Sequence, residues 1–222
     1  MNLIKYCNKK YHVDVTNTIR LGTFYGYRNH EKNEIKDSHE GIADSFHVAP
    51  DNTIYPTPEE VNSANIGIKF VNTNKKTKIS MKNVKVNRKT ELPNCYLFSC
   101  SESPFNNNLI KKFGYESHYE IIDTQKFSDV LTKSLGRKLS EQEKYLPHTL
   151  SAYWRKVEYG ESYTPDPLNG SPNDYAKKRS EFASECEYRL IFILTDKIGY
   201  VVPVENEPID LEVTDELRSC CK

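Results

Sequence analysis

Apolar and polar residues alternate with a period of two in several short segments, which are read as strands. Thr18-Ile-Arg-Leu-Gly-Thr-Phe-Tyr25 mixes β-branched, aromatic and polar residues and predicts a strand leading into a turn. Residues 66–71 and 78–86 alternate in the same way, with the polar segment 72–77 as the hairpin loop between them. Cys95-Tyr-Leu-Phe-Ser99 is a short apolar run of the buried-strand kind, and Tyr188-Arg-Leu-Ile-Phe-Ile-Leu194 is the strongest strand in the chain. Residues 199–204 and 209–213 follow as edge strands, because Pro203 has no N–H to give to a ladder.

The helical period of 3.6 is rarer. Phe127, Val130, Leu131 and Leu135 fall on one helical face, with Asp123 or Thr124 as the cap. Residues 175–184 read as a short basic helix. Residues 4–15 mix Lys and Tyr without a clear period, and 28–41 is a polar loop or one short irregular helix. Prolines punctuate loops over 48–58 and 164–173. Strand-rich halves interrupted by one or two helices predict a single α+β domain over residues 1–222, mostly antiparallel.

Composition narrows this reading. Apolar residues make up 37% of the 222 residues, so the core is modest and the loops are long. Fifteen Tyr and 9 Phe put rings into that core and argue against disorder. Lys+Arg and Asp+Glu balance at 31 each. A protein that binds nucleic acid by bulk charge is basic, so any such contact must come from a local patch. No apolar run approaches the ~20 residues of a membrane span, and the first ten residues hold too short an apolar stretch for a secretory signal. The 6 cysteines, at 7, 95, 100, 186, 220 and 221, follow no CxxC or Cys/His zinc spacing. They are expected as free thiols in a reducing cytosol, with no metal site and no membrane partner.

Three constellations carry chemistry. Ser184-Glu-Cys-Glu187 enters the most apolar strand, and in an extended segment Glu185 and Glu187 point to one face over a cleft. A solvated turn with those charges paired to Lys177, Lys178 or Arg179 accounts for the same residues without chemistry. Phe98-Ser-Cys-Ser101 ends a buried strand with Ser99 and Ser101 on one face, suited to orienting a carboxylate or a ribose hydroxyl. Ordinary turn residues are the plainer account, and Cys100 as a nucleophile needs a base that none of the 6 histidines visibly supplies. Arg20 and the cluster Tyr25-Gly-Tyr-Arg28 offer a guanidinium fork for a diphosphate and a ring face for a flat heterocycle.

Their order along the chain adds to each. An Arg on an early strand, Ser-x-Ser on a central strand and Glu-x-Glu at a later one resembles the ADP-ribosyltransferase superfamily. The resemblance implies a split-sheet α+β core and NAD as substrate, with Arg20 or Arg28 holding the dinucleotide. Ser99 and Ser101 would shape the nicotinamide-ribose site, and Glu187 would be catalytic. The segments Asp37-Ser-His-Glu-Gly41, Cys95–Ser99, Phe113-Gly-Tyr-Glu-Ser-His-Tyr119, Val157-Glu-Tyr159 and Lys178 through Arg189 are similar to the DUF2971 family, often found in mobile or defence loci. The Arg-Leu-Gly-Thr…Tyr-Arg opening also resembles ADP-ribosyltransferase toxins of bacterial anti-phage toxin–antitoxin–chaperone systems. That likeness implies an RNA acceptor, with protein the alternative, and an antitoxin partner.

Breaking a nicotinamide–ribose bond passes through a cation-like sugar, which a fixed carboxylate stabilises. Glu187 is expected in that role, Glu185 on the acceptor, and Tyr27 or Tyr115 stacked on nicotinamide. Glu187→Gln is expected to stop turnover and leave the fold intact. Two other activities fit the same cleft: a non-catalytic nucleotide-binding sensor and an NAD glycohydrolase. The basic run 177–179 could lead a phosphate backbone to Glu185, and Tyr159, Tyr163 and Tyr175 could stack an unpaired base.

Overall fold

The computed structural model describes residues 2–28, 42–48, 53–55, 79–81, 85–102, 104–142, 145, 148–160 and 171–222. The chain divides into two compact units, Met1–Gly41 with Glu91–Lys222, and Ile42–Thr90. The larger unit opens with β1 (Leu3–Cys7), β2 (Thr18–Thr23) and α1 (Phe24–Arg28). The smaller unit holds β3 (Ile42–Val48), β4 (Thr53–Tyr55), β5 (Ile79–Met81) and most of β6 (Lys85–Glu91), with β3 on β6 and β4 antiparallel to β5. The larger unit continues with β7 (Tyr96–Glu102), α2 (Asn107–Phe113), β8 (Ser117–Ile121) and α3 (Thr124–Ser140). After these come β9 (Thr149–Lys156), β10 (Glu158–Gly160), β11 (Lys177–Arg179), β12 (Glu187–Thr195), β13 (Val201–Val202), β14 (Ile209–Glu212) and α4 (Asp215–Arg218).

The fold is mixed, with mostly antiparallel strands in one large sheet and few helices. β12 lies at its middle, antiparallel to β7 and β13 on one side and to β9 on the other. Its sequence explains the position. Glu187–Thr195 is β-branched and aromatic on both faces, which suits a strand buried from two sides. One face carries Leu190, Phe192 and Leu194 with Phe98 of β7, and α3 covers it with Phe127, Leu131, Leu135 and Leu139, four residues apart. The Asp123 side chain caps α3 by accepting from the Lys126 N–H at 3.0 Å, and the Trp154 indole donates to the Thr124 carbonyl at 3.0 Å. The other face packs Leu97, Ile191 and Ile193 against Phe24 and Tyr175.

On its far side β7 meets two different strands. Gly22 and Thr23 of β2 pair with Leu97 and Tyr96, while Ile4 and Leu3 of β1 pair with Ser101 and Glu102. Residues 98–100 have neither as a partner, so the sheet opens between β1 and β2. β1 continues to β8, and β2 to β14.

Several expectations stand as read, including the strands near 18–23, 95–99, 188–194 and 209–213 and the helix capped by Asp123. Residues 175–184 are corrected. They form two 3-10 turns, Asp174–Ala176 and Ser180–Glu185, around the strand β11, which runs parallel to β10. A ladder to residues far away in sequence overrides the local helical preference there. The strand expected over 66–71, its loop 72–77 and the loop 29–41 lie outside the described residues.

Asn94 ties three segments together just before β7. Its side chain accepts from the Tyr25 N–H at 2.9 Å and donates to the Val204 and Glu205 carbonyls at 3.2 and 2.8 Å. Replacing it leaves main-chain groups without partners in a buried position. Asn94→Ala is therefore expected to destabilise the protein by about 2–3 kcal/mol, read as a lower urea midpoint with an unchanged slope.

Candidate functional site

The residues at the entrance to β12 are set by a reversal of the chain. Glu185 ends a 3-10 turn, Cys186 takes the left-handed conformation at φ 45° and ψ 45°, and Glu187 starts the strand. A non-glycine residue in that conformation is uncommon and is held by its surroundings. The expected extended segment is thus replaced by a tight turn. Both carboxylates still converge, on a single ammonium.

Lys178 of β11 donates to Glu185 Oε2 at 2.7 Å and to Glu187 Oε2 at 3.1 Å, with its side chain only 7% exposed. Glu187 Oε1 also accepts from Arg189 Nε at 2.9 Å, and Arg189 Nη1 donates to the Tyr175 carbonyl at 2.6 Å. Glu185 Oε1 accepts from Lys112 Nζ of α2 at 2.8 Å. Glu185, Glu187 and Arg189 are all buried. The alternative reading, charges paired with Lys178, is thus realised in the interior and not on a solvated turn.

Burial would raise the Glu187 carboxyl, but Arg189 and Lys178 overcome it and hold the group well below the usual carboxylate range. The Ser99 hydroxyl also acts in that direction, although its buried Oγ makes no hydrogen bond of ordinary geometry. Glu187 is accordingly a fixed negative charge near neutral pH and not a proton acceptor. The Tyr159 hydroxyl accepts from the Glu187 N–H at 2.8 Å, and burial pushes it up to about 12.

This cluster faces a cavity at the opening in the sheet, lined by Ser99, Ser101, Glu185 and Glu187 with Tyr27 and Tyr115. A larger cavity of about 480 Å³ adjoins it, sharing Lys5, Tyr6, Tyr27 and Tyr115 and extending to Arg20 and Asp210. Its size suits a small organic ligand. The cross-strand register puts Ser101 opposite Glu187 and Ser99 opposite Arg189 on one face, as the Ser-x-Ser pattern predicts. Gly22 lets the Tyr27 wall lie close against β2: a Cβ there would come 3.2 Å from the Tyr27 ring, which would have to shift by a few tenths of an ångström.

The two candidate arginines part company. Arg20 reaches the larger cavity, 61% exposed and held by Asp210 through two bonds of 2.8 and 3.0 Å. Arg28 lines neither cavity; it is buried, pairs with Glu91 and stacks 4.2 Å from the Tyr25 ring. Tyr175 is fully buried against Phe24, which removes it from any stacking role, and Tyr163 lies outside the described residues. The run 177–179 is not one basic face, since Lys177 pairs with Asp174, Lys178 with both glutamates and Arg179 with Glu181. Cys100 is buried and its thiol is pushed up to about 12 by that burial, so it supplies no thiolate. All 6 cysteines are free.

Sequence reasoning passed over Arg189, Lys112 and Lys5 as site residues. A signal existed for two of them: Arg189 and Lys5 each stand inside an otherwise apolar strand. Comparison with protein-family models, curated proteins and solved structures gives no match. Among the described residues no group of three or more His, Cys, Asp or Glu could hold a metal, and no helix is long and apolar enough to cross a membrane.

The pairing changes what Glu187→Gln should do. Removing the charge leaves Arg189 and Lys178 buried with one carboxylate fewer, at a cost of about 3 kcal/mol. Because the folded carboxyl titrates below its unfolded value of about 4.3, its stabilisation is complete above that pH and is lost as pH falls through the folded value. Urea titrations from neutral pH down to about pH 2 should therefore show a steep acid loss in the wild type and a shallower one in Glu187→Gln. Parallel curves offset by a constant would show that Glu187 is not the group responsible.

Proposed function

We propose that the protein is an NAD-consuming mono-ADP-ribosyltransferase. The observation that carries this reading is the convergence of Glu185 and Glu187 with Ser99 and Ser101 on a cavity walled by Tyr27 and Tyr115, at a break in the sheet. Cation-lined space with aromatic walls suits a nucleotide, and a permanently ionised carboxylate suits a ribose that becomes cationic as its bond to nicotinamide breaks. In this reading C1′–N cleavage releases neutral nicotinamide with the bonding pair, Glu187 stabilises the sugar cation, and an acceptor nucleophile forms the new C1′ bond and releases its proton to solvent water. Glu185, paired with the part-exposed Lys112, addresses the acceptor.

The acceptor proposed is single-stranded RNA, with protein the alternative, and the protein acts as a toxin or phage-defence effector partnered by an antitoxin. A zero net charge leaves no bulk attraction for nucleic acid, so the acceptor must be recognised locally. A second reading, a non-catalytic nucleotide-binding module, is favoured by one feature: Arg189 and Lys178 already neutralise Glu187. An NAD glycohydrolase, with water as acceptor, is the third.

Incubating the protein with NAD labelled in its ADP-ribose half and with cell lysate separates them. The expected outcome is label on macromolecules that ribonuclease removes and protease does not. Free labelled ADP-ribose would point to hydrolysis, and intact NAD to the binding module. Protease-sensitive, ribonuclease-resistant label would overturn the RNA acceptor while leaving the transferase. Glu187→Gln, assayed below its own melting temperature, should lower turnover by about a hundredfold or more.

A further inference from the structure

The cations around the cleft are not equivalent. Lys112, Lys178 and Arg189 are paired with Glu185 or Glu187, Arg20 with Asp210 and Arg28 with Glu91. Lys5 of β1 has no carboxylate within ion-pair distance among the described residues. Its ammonium crosses the opening between β1 and β7 to donate to the Ser99 carbonyl at 2.7 Å, and lies 4.5 Å over the Phe98 ring. It lines both cavities and so sits where they meet, beside Tyr27 and Tyr115. An ammonium has three donors, and one is spent here.

A part-buried charge without a counter-ion recovers only part of its lost hydration from one carbonyl and one ring face. An anionic ligand at the junction returns the rest, whereas an anion at Arg20 must first compete with a bidentate carboxylate. We propose that Lys5 is the phosphate-binding cation of the cleft, receiving the diphosphate of a nucleotide whose flat ring lies against the tyrosine walls; this rests on the nucleotide reading above. The Ser99 carbonyl fixes the ammonium in place, and Phe98 keeps its under-side dry. Arg20 then acts at the outer end of the larger cavity, and Arg28 takes no part in ligand binding.

The test is calorimetric titration of the full chain with ADP, ADP-ribose and adenosine, for the wild type, Lys5→Gln, Lys5→Arg and Arg20→Ala. Lys5→Gln is expected to weaken ADP and ADP-ribose about 10- to 100-fold, with adenosine unchanged, and Lys5→Arg to recover most of the loss. Should Lys5→Gln fail to fold, a measurement on the wild type replaces it: ADP should protect Lys5, read by mass spectrometry, from an amine-acylating reagent. Unchanged ADP affinity in Lys5→Gln with loss in Arg20→Ala, or labelling of Lys5 that ADP does not slow, overturns the proposal and leaves the nucleotide reading standing. Binding of ADP that depends on Lys5, in a protein that never cleaves NAD, upholds the proposal and removes the transferase. Wild type that binds neither ADP nor ADP-ribose overturns both.

Discussion

The ammonium of Lys178 between two buried carboxylates is the contact on which the arrangement of the site depends. It joins three elements that follow one another along the chain, to which a fourth adds a cation from farther away. Lys178 belongs to β11, held parallel to β10; Glu185 closes a 3-10 turn; Glu187 and Arg189 open the most buried strand; and Lys112 reaches in from α2. Among the described residues, the cations of Lys112, Lys178 and Arg189 face the carboxylates of Glu185 and Glu187. Isolated buried charges are costly, and here each is returned to a partner of opposite sign within hydrogen-bond reach. Such a cluster holds its members in one geometry more than it adds to stability. The left-handed turn at Cys186 is part of the same arrangement, since it brings the end of one element and the start of the next onto one ammonium.

Phe182 gives this cluster an apolar backing. Lys178, Arg179 and Lys112 lie 4.5, 5.5 and 5.7 Å from the centre of its ring, which is itself buried. The ring's negative face attracts the cations while excluding water from one side of them. Ion pairs beside such a surface are screened less than those at the exposed Arg137–Glu212 contact, where both side chains are open to solvent.

The sheet's centre was legible because β7 and β12 are apolar for a reason local to them: a strand buried on both faces must be. Ser99, Ser101, Glu185 and Glu187 were legible for the complementary reason that polar groups interrupting such strands are conspicuous. β1 was not. Leu-Ile-Lys-Tyr-Cys has no clean alternation, since Leu3 and Cys7 join the main core on one face, Ile4 and Tyr6 pack with Leu109 of α2 on the other, and Lys5 stands in the opening. Residues 177–179 look helical by composition, and only their distant partner makes them a strand. Arg20 and Arg28 are held by Asp210 and Glu91, residues far from either arginine in sequence, and no local pattern announces a partner of that kind. Arg189 was visible as a charge in an apolar run, yet its role needed the register that places it beside Ser99.

The opening between β1 and β2 is fastened at both ends by main-chain pairing to the same strand, through Ser101 and Glu102 at one end and Tyr96 and Leu97 at the other. β1 is further braced by β8, and β2 by β14. Neither rim can move outward without surrendering ladder hydrogen bonds. The gap therefore has a width fixed by the backbone, much as a slot cut in a plate keeps its width when its corners are clamped. An occupant is accepted or refused by its own thickness and charge, with little further ordering of the strands at the rim to oppose its entry.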